Sequence, residues 1–492
     1  QGCTLFLGLL VRHYKRGVVS THRSHHGKSS SCISGCAFHD RAARGQSALL
    51  LRVINDLERN TILDGATWIE HLQLHHQVRL KAFPQAIQSH NRGITHTGQN
   101  VLMNVVHSRL RLGWGYNPAK ARLGGQLVDS RNRLVRKGNY ICGSFIKPEN
   151  VDGYINCINP GDRNDLIGRF PFSASSVEDA VEQAAGAWPE WSSFGLNDRA
   201  RVVQRFRDKL ASYQDAAAAL ITRESGKPIW EAQHEVLTTL RELDVLLDDG
   251  IGRLAPKVFK GQLGRTDYRP RGPIGILCPY NPPLLIPAVQ SAAAVLSGNT
   301  VVFKPSKFTP AIGQFVAETW DRCHLQRGVV NMVQGSGSLV GNLLSNHADI
   351  RSLLFTGSFK TSMAVRKAVF KRPELPVVYQ TGGKGIAVVM SDAEMERSVY
   401  EVMVGAFLTA GQRHNSTARV FVHDKIYERW VRQLIHRCSR ATIGYGFHKK
   451  TFMGPLISEN LRNRYRKYCR AVEDRGHRVV MPYGNPQIKG KK

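Results

Sequence analysis

The chain has 492 residues, which is more than one compact domain holds and enough for two or three. Its composition, 42% hydrophobic and 22% charged, is that of a globular protein and excludes a wholly unfolded or fibrous chain. The chain carries 68 Lys and Arg against 38 Asp and Glu, a formal net charge of +30, so we expect its surface to attract polyanions.

Residues 1–137 form an irregular basic extension. They hold 20 Lys or Arg against six Asp or Glu, and 11 of the 19 His. Asp40 is the first acidic residue and follows five Lys or Arg and many Ser, which is typical of a mitochondrial transit peptide or its remnant. We therefore expect a mitochondrial matrix location, with a solvated basic arm as the alternative. The stretch 449–492 is a second basic segment.

No apolar run reaches the roughly 18 residues that a membrane-spanning helix needs, so no span is predicted. The nine cysteines are an odd number scattered along the chain, which favours a reducing compartment over a disulfide framework. Cys32, Cys36 and His39 form a local cluster. Because no fourth ligand is evident, free thiols are favoured there and no metal site is predicted.

From Asn139 onward the pattern becomes that of an α/β protein. Ser175 and Glu178 form a capping signal at the start of an amphipathic helix, and a second helix is predicted from about Asp198 to Glu224. Strands apolar on both faces then alternate with helices, which predicts a parallel sheet covered on both sides. The predicted strands are Ile274–Cys278, Thr300–Phe303, Val329–Val333, Ser352–Phe355 and Ile386–Met390.

Seven motifs follow one another along this part of the chain. They are RESGKP at 223–228, GILCPYNPP at 275–283, VVFKPS at 301–306, FTGS at 355–358, GGK at 382–384, GQR at 411–413 and MGPLI at 453–457. In the order and approximate spacing of these motifs, residues 139–460 resemble the aldehyde dehydrogenase superfamily. The residues of the motifs are most similar to those of succinylglutamate-semialdehyde dehydrogenases. The resemblance implies a Rossmann-type, NAD-binding-like domain over 138–380 and an incomplete second α/β domain, resembling the catalytic domain, over 381–492.

The resemblance also implies residues for the cofactor. Lys304 and Ser306 match the residues that hold the adenosine ribose, and Gly357 and Ser358 match the turn that faces the pyrophosphate at a helix N-terminus. Ser362 stands where the family has a further glycine. We therefore expect no required cofactor, with NAD as a vestigial ligand at most.

Three further positions match the family's catalytic groups. Asn281 matches the asparagine that stabilises the oxyanion, although an Asn in an X-Pro turn is an alternative interpretation. His414 occupies the place of the cysteine whose thiolate attacks the aldehyde. Gln380 replaces the glutamate that activates water, and an amide cannot abstract a proton at neutral pH.

These departures lead to the prediction of a catalytically inactive, aldehyde dehydrogenase-like structural subunit. We expect it in a large mitochondrial assembly, the mitochondrial ribosome first, where its basic ends would contact ribosomal RNA electrostatically. Because the family continues beyond the MGPLI motif, we also expect a permanent protein partner that covers the C-terminal side. The alternatives are an active NAD-dependent aldehyde or semialdehyde dehydrogenase with an unusual nucleophile, and a structural subunit of a respiratory or ATP synthase complex.

Overall fold

The computed structural model describes residues 138–258 and 264–481. The strands are β1 Asn139–Ile141, β2 Ser144–Ile146, β3 Gly153–Ile158, β4 Leu166–Phe172, β5 Lys257–Val258, β6 Arg265–Thr266, β7 Pro273–Leu277, β8 Thr300–Lys304, β9 Val330–Met332, β10 Ser352–Gly357, β11 Val377–Thr381, β12 Gly385–Val389 and β13 Thr417–Val422. The helices are α1 Ser175–Ser193, α2 Leu196–Ser212, α3 Gln214–Ser225, α4 Ile229–Val245, α5 Ile251–Leu254, α6 Leu285–Leu296, α7 Pro310–Asp321, α8 Asn342–Asn346, α9 Phe359–Ala368, α10 Met395–Phe407, α11 Tyr427–Ser439 and α12 Glu459–Glu473.

A seven-stranded sheet organises the first part of the described chain. Its strand order is β11-β10-β7-β8-β9-β1-β2, and the five strands from β11 to β9 are parallel, whereas β1 pairs antiparallel with β9 and β2. From β7 the chain proceeds outward through β8 and β9, and it then returns to the other side of β7 to form β10 and β11. The strand order therefore reverses between β7 and β10, which is where open α/β sheets bind their ligands.

Both faces of this sheet are covered because its central strands are apolar at consecutive positions. Val301 and Phe303 of β8 pack into a core with α2, α3, α4, α6 and α7, while Val302 packs on the opposite face with α1, α8 and α9. The predicted open α/β fold is confirmed, and the four predicted strands that belong to this sheet, β7 to β10, lie within two residues of their predicted bounds. Strands β1, β2 and β11 were not predicted.

Two local predictions about helices were wrong. The single helix from Asp198 to Glu224 is broken at Tyr213, which has φ −112° and ψ 18° and separates α2 from α3. The Tyr213 ring packs on the core and under the guanidinium of Arg322, so tertiary packing overrides a continuous helical propensity. Helix α1 does begin at Ser175, but without a side-chain cap, because the Ser175 hydroxyl bonds to Ser173 instead.

Strands β12 and β13 form a separate parallel pair, and α10 and α11 pack on one face of it. A third apolar core lies between these elements and contains the fully buried Trp430 of α11. The other face of the pair exposes Ile386, Val388 and Phe421 at 59%, 64% and 46% of their surfaces. The predicted domain boundary at 380/381 falls between the two sheets and stays a prediction.

Several sequence predictions fall outside the described residues. They concern the basic extension 1–137 and the cluster of Cys32, Cys36 and His39. Within 138–258 and 264–481, no helix is long and apolar enough to cross a membrane. In the same ranges, no group of three His, Cys, Asp or Glu side chains lies close enough together to hold a metal ion.

Candidate active site

A cleft of about 620 Å³ opens at the carboxyl ends of β7, β8 and β10, at the point where the strand order reverses. Its volume lies in the range of small-molecule and cofactor sites. All seven residues that the sequence nominated line this one cleft, although they are up to 133 positions apart in the chain. These residues are Asn281, Lys304, Ser306, Gly357, Ser358, Gln380 and His414.

Lys304 lies at the end of β8 with its side chain fully buried. Its ammonium group donates hydrogen bonds to the carbonyl oxygens of Pro305 at 2.7 Å and Gly335 at 3.2 Å. Burial lowers the pKa of Lys304 to about 8, which still leaves most of the population charged at neutral pH. An ammonium group has three N–H donors, so one remains for a ligand in the cleft.

Gly357 and Ser358 form the turn between β10 and α9. The Ser358 hydroxyl accepts a hydrogen bond from the Thr361 amide at 3.2 Å and so caps the helix. A side chain at Gly357 would meet the Phe355 ring at 2.8 Å, so close packing requires glycine here. Helix N-termini attract anions, and this one begins at the cleft.

Ser362, which stands where a further glycine was expected, is turned away from solvent. Its side chain is buried, and its hydroxyl donates to the Phe359 carbonyl at 2.7 Å. Residues Gly337 and Gly341 also line the cleft, and a side chain at Gly337 would meet nothing within 4 Å. The donor set and the open space at Gly337 fit a dinucleotide, because a cation, a hydroxyl and a helix N-terminus line one cleft.

Asn281 follows β7, and the Asn281–Pro282 peptide bond is cis. The Asn281 side-chain amide donates to the Gln412 carbonyl at 3.0 Å. Its Oδ1 atom is buried and has no hydrogen-bond partner among the described residues. Since an amide carries two N–H groups, one donor remains beside the bond to Gln412.

Gln380 and His414 reach the cleft from different elements. Gln380 is in β11, and its Oε1 atom accepts a hydrogen bond from the Thr356 hydroxyl at 3.3 Å. His414 is in the loop 408–416 between α10 and β13, and its carbonyl accepts from the Gly383 amide at 3.1 Å.

The loop 408–416 is held in an unusual backbone conformation. Thr409 and Ala410 both have φ of 53°, in the left-handed region that residues other than glycine rarely adopt. The Glu231 carboxylate, buried on α4, accepts hydrogen bonds from the amide of Thr409 at 2.9 Å and from its hydroxyl. The Gln412 amide nitrogen Nε2 donates to the Thr409 carbonyl at 3.0 Å, and Gln412 Oε1 accepts from the Ile457 amide at 3.1 Å.

Sequence reasoning missed Glu231. It lies three residues after the RESGKP motif, but nothing in the pattern marks it as different from the other acidic residues of α4. Its contact with Thr409 spans 178 positions, so only the folded chain brings the two together.

Cys278 is the cysteine that lines this cleft among the described residues. Burial raises the pKa of the Cys278 thiol to about 12. It therefore stays protonated at neutral pH and is a poor nucleophile.

A model of the family described as "Aldehyde dehydrogenase family" matches residues 145–491. The chain belongs to the aldehyde dehydrogenase family. The alpha-ketoglutaric semialdehyde dehydrogenase of Bacillus subtilis (strain 168) is 32% identical to it over 347 residues, which are 70% of this chain and 71% of that relative.

Two other aldehyde dehydrogenases show the same similarity. The N-succinylglutamate 5-semialdehyde dehydrogenase of Burkholderia thailandensis is 33% identical over 310 residues, 62% of this chain and 63% of the relative. The crystal structure of betaine aldehyde dehydrogenase from Staphylococcus aureus in complex with NAD+ superposes with a TM-score of 0.66 and 25% identity, and the match covers 70% of this chain and 68% of that chain. The chain therefore spans about two thirds of the length of the proteins it resembles.

The prediction of an inactive structural subunit was wrong. The relatives are named as aldehyde dehydrogenases, which favours the enzyme, and nothing in these comparisons indicates a role in the mitochondrial ribosome or in RNA binding. The error had a physical source. The replacements at His414 and Gln380 remove one nucleophile and one base, but the cleft and the loop that present those positions remain.

Proposed function

We propose that this chain is a nicotinamide-dinucleotide-dependent aldehyde dehydrogenase that converts a semialdehyde into the corresponding carboxylic acid. The observation that carries this proposal is the single cleft at the reversal of strand order, in which cofactor-type and reaction-type residues line one space. Names of relatives alone would not carry it, because a fold can host several activities.

In this proposal the sheet side of the cleft binds the dinucleotide. Lys304 and Ser306 hold the adenosine ribose with an ammonium N–H and a hydroxyl, and the first backbone amides of α9 after Ser358 hold the pyrophosphate. The low polarity around the buried Lys304 strengthens the hydrogen bond that its remaining donor makes. The proposed cofactor is NAD rather than NADP, because the structurally similar betaine aldehyde dehydrogenase was crystallised with NAD+.

The opposite side of the cleft binds the aldehyde. The second amide N–H of Asn281 donates to the substrate oxygen, which gains negative charge as the reaction proceeds. Gln380 orients the substrate through its amide, since Oε1 is already held by Thr356. His414, on the loop 408–416, lines the same cleft.

The proposed substrate class is an anionic semialdehyde. Two relatives are named for semialdehydes, alpha-ketoglutaric semialdehyde and N-succinylglutamate 5-semialdehyde. Arg464 of α12 lines the cleft, and the pKa of Lys384 is lowered by burial and by the neighbouring Arg419 and Arg464. Three cations therefore lie near one another and would attract a carboxylate.

The test is an assay of NADH formation by the full-length protein with NAD+ and alpha-ketoglutaric semialdehyde. Propionaldehyde, an aldehyde without a carboxylate, serves as the uncharged control substrate. We expect turnover of the semialdehyde at a higher kcat/KM than that of propionaldehyde. Absence of turnover with both aldehydes and with both NAD+ and NADP+ would refute the proposed function.

The location and the partner are separate proposals. We propose that residues 1–137 direct the chain to the mitochondrial matrix, on the strength of their acid-poor, basic and Ser-containing start. A fusion of residues 1–137 to a fluorescent protein should then co-localise with a matrix marker, and a diffuse cytosolic signal would contradict it.

The predicted protein partner would bind the exposed face of β12 and β13, where Ile386, Val388 and Phe421 lie. Light scattering of the purified native protein tests whether it is associated.

A further inference from the structure

The cleft poses a chemical question that the proposed function leaves open. A covalent route through a thiohemiacetal needs a thiolate, and the thiol of Cys278 is kept protonated by its burial. Aldehydes in water also exist as their hydrates, which carry two hydroxyl groups on the carbon to be oxidised. Oxidation of a hydrate requires no nucleophile from the protein, only a base that removes one hydroxyl proton.

An imidazole is suited to this task. Its reference pKa of about 6.5 lies close to neutral pH, where a side chain can both accept and release a proton. His414 lines the same cleft as Asn281 and Gln380 and so supplies an imidazole to the site. Neither amide can act as a base, whereas both can hold the hydrate by hydrogen bonds.

The loop that carries His414 is held by four separate elements. Glu231 of α4 holds Thr409, Asn281 after β7 holds the Gln412 carbonyl, and the Ile457 amide before α12 holds the Gln412 side chain. The Gly383 amide after β11 donates to the carbonyl of His414 itself. A residue in such a fixed frame is preorganised, which is what a proton-transfer group requires.

We propose that His414 is the general base for the hydrated aldehyde, an inference that rests on the proposed function. One hydroxyl proton of the hydrate passes to a ring nitrogen of His414, the carbon–hydrogen bond breaks, and its hydrogen and electron pair are taken up by the oxidised nicotinamide dinucleotide. The electron pair of the broken O–H bond forms the second carbon–oxygen bond, so the carbon leaves as a carboxylic acid. Atoms and electrons balance without a covalent enzyme intermediate.

Several elements bring titratable and charged groups close to the loop that carries His414. Its own loop supplies Arg413, and the packed elements supply the groups that will shape any pH profile. These groups are Glu231 and His234 of α4, Lys384 before β12 and Arg464 of α12. A pH dependence assigned to His414 must therefore disappear in a His414 variant and persist in variants of these neighbours.

The first experiment compares wild type, His414→Ala, and the matched control His436→Ala, which removes an exposed histidine of α11 outside the cleft. We expect kcat with alpha-ketoglutaric semialdehyde to fall by about 100-fold or more in His414→Ala, the usual contribution of a general base, and KM to change little. Added imidazole should restore part of kcat in His414→Ala only. A kcat for His414→Ala equal to that of wild type would overturn the inference while the proposed function stands.

The second experiment needs no turnover. It measures the binding of 2-oxoglutarate, the acid that alpha-ketoglutaric semialdehyde would give, by calorimetry between pH 5.5 and 8. Protonated His414 attracts the product carboxylate, so wild type should bind more tightly as the pH falls, and His414→Ala should lose this dependence. If wild type shows no turnover but this difference is present, the proposed function fails and the placement of His414 holds. A pH dependence that is the same in both proteins would overturn the placement.

Discussion

Replacement of Glu231 by alanine tests whether the left-handed turn at Thr409 and Ala410 is held from outside the loop 408–416. A left-handed conformation costs about 1–2 kcal/mol for each residue that is not glycine, so the turn stores about 2–4 kcal/mol. The Glu231 carboxylate opposes this cost with two charge-assisted hydrogen bonds, each worth about 1.5–3 kcal/mol.

The alanine variant should therefore lose about 3 kcal/mol of its free energy of unfolding or release the turn without unfolding. Release of the turn displaces His414, and for that outcome we expect kcat to fall by at least about tenfold, with a smaller change in KM. The measurements are denaturant unfolding followed by tryptophan fluorescence, and NADH formation with alpha-ketoglutaric semialdehyde at saturating NAD+.

Two variants control this experiment. Glu231→Gln can still accept from the Thr409 amide and can donate to the Thr409 hydroxyl, so it should recover most of the activity. Glu242→Ala removes a half-buried carboxylate of the same helix away from the loop and should cost less than about 1 kcal/mol. A folded Glu231→Ala protein with the kcat of wild type would refute the assignment of a positioning role to this carboxylate.

Three further outcomes are expected. Lys304→Met should weaken NAD+ binding by about 10- to 100-fold in calorimetry, whereas Lys371→Met, at an exposed position, should not; equal affinities would contradict the assigned role of Lys304. Burial raises the pKa of Glu224 to about 7, so the folded state favours the neutral carboxyl group more than the unfolded state does. The free energy of unfolding should therefore decrease as the pH rises from about 4.5 to 7. Glu224→Gln should flatten this part of the stability profile, and an unchanged slope would contradict the assignment to Glu224. Alkylation of the native protein with iodoacetamide should leave NADH formation largely intact, because the thiol of Cys278 is buried and protonated; rapid inactivation would instead indicate a covalent route.

The sequence predicted the part of the fold that depends on local apolar patterning. Consecutive buried residues such as Val301, Val302 and Phe303 mark a strand covered on both faces, and the alternation of such runs with helices leads directly to a parallel sheet. The break at Tyr213 could not be predicted in this way, because the ring packs against residues far along the chain, including Arg322.

The candidate site was likewise predictable only in part from the sequence. Motif matching nominated the seven residues that line the cleft, but it could not supply the contact between Glu231 and Thr409 or that between Asn281 and Gln412, which join distant segments. It also led to a wrong functional conclusion, since the identity of His414 was treated as the loss of chemistry. A side chain at a fixed position can instead support a different proton-transfer route, which only the arrangement around it suggests.

The restraints on the turn at Thr409 reach main-chain atoms of the loop and the side chain of Gln412. The frame therefore sets where the backbone at position 414 lies with little regard to which side chain grows from it. A substitution at position 414 leaves all of these supporting hydrogen bonds in place. Insertion or deletion of one residue between Phe407 and Ser416 would instead displace their donors and acceptors. These hydrogen bonds therefore constrain the length of the loop 408–416 and not the identity of residue 414.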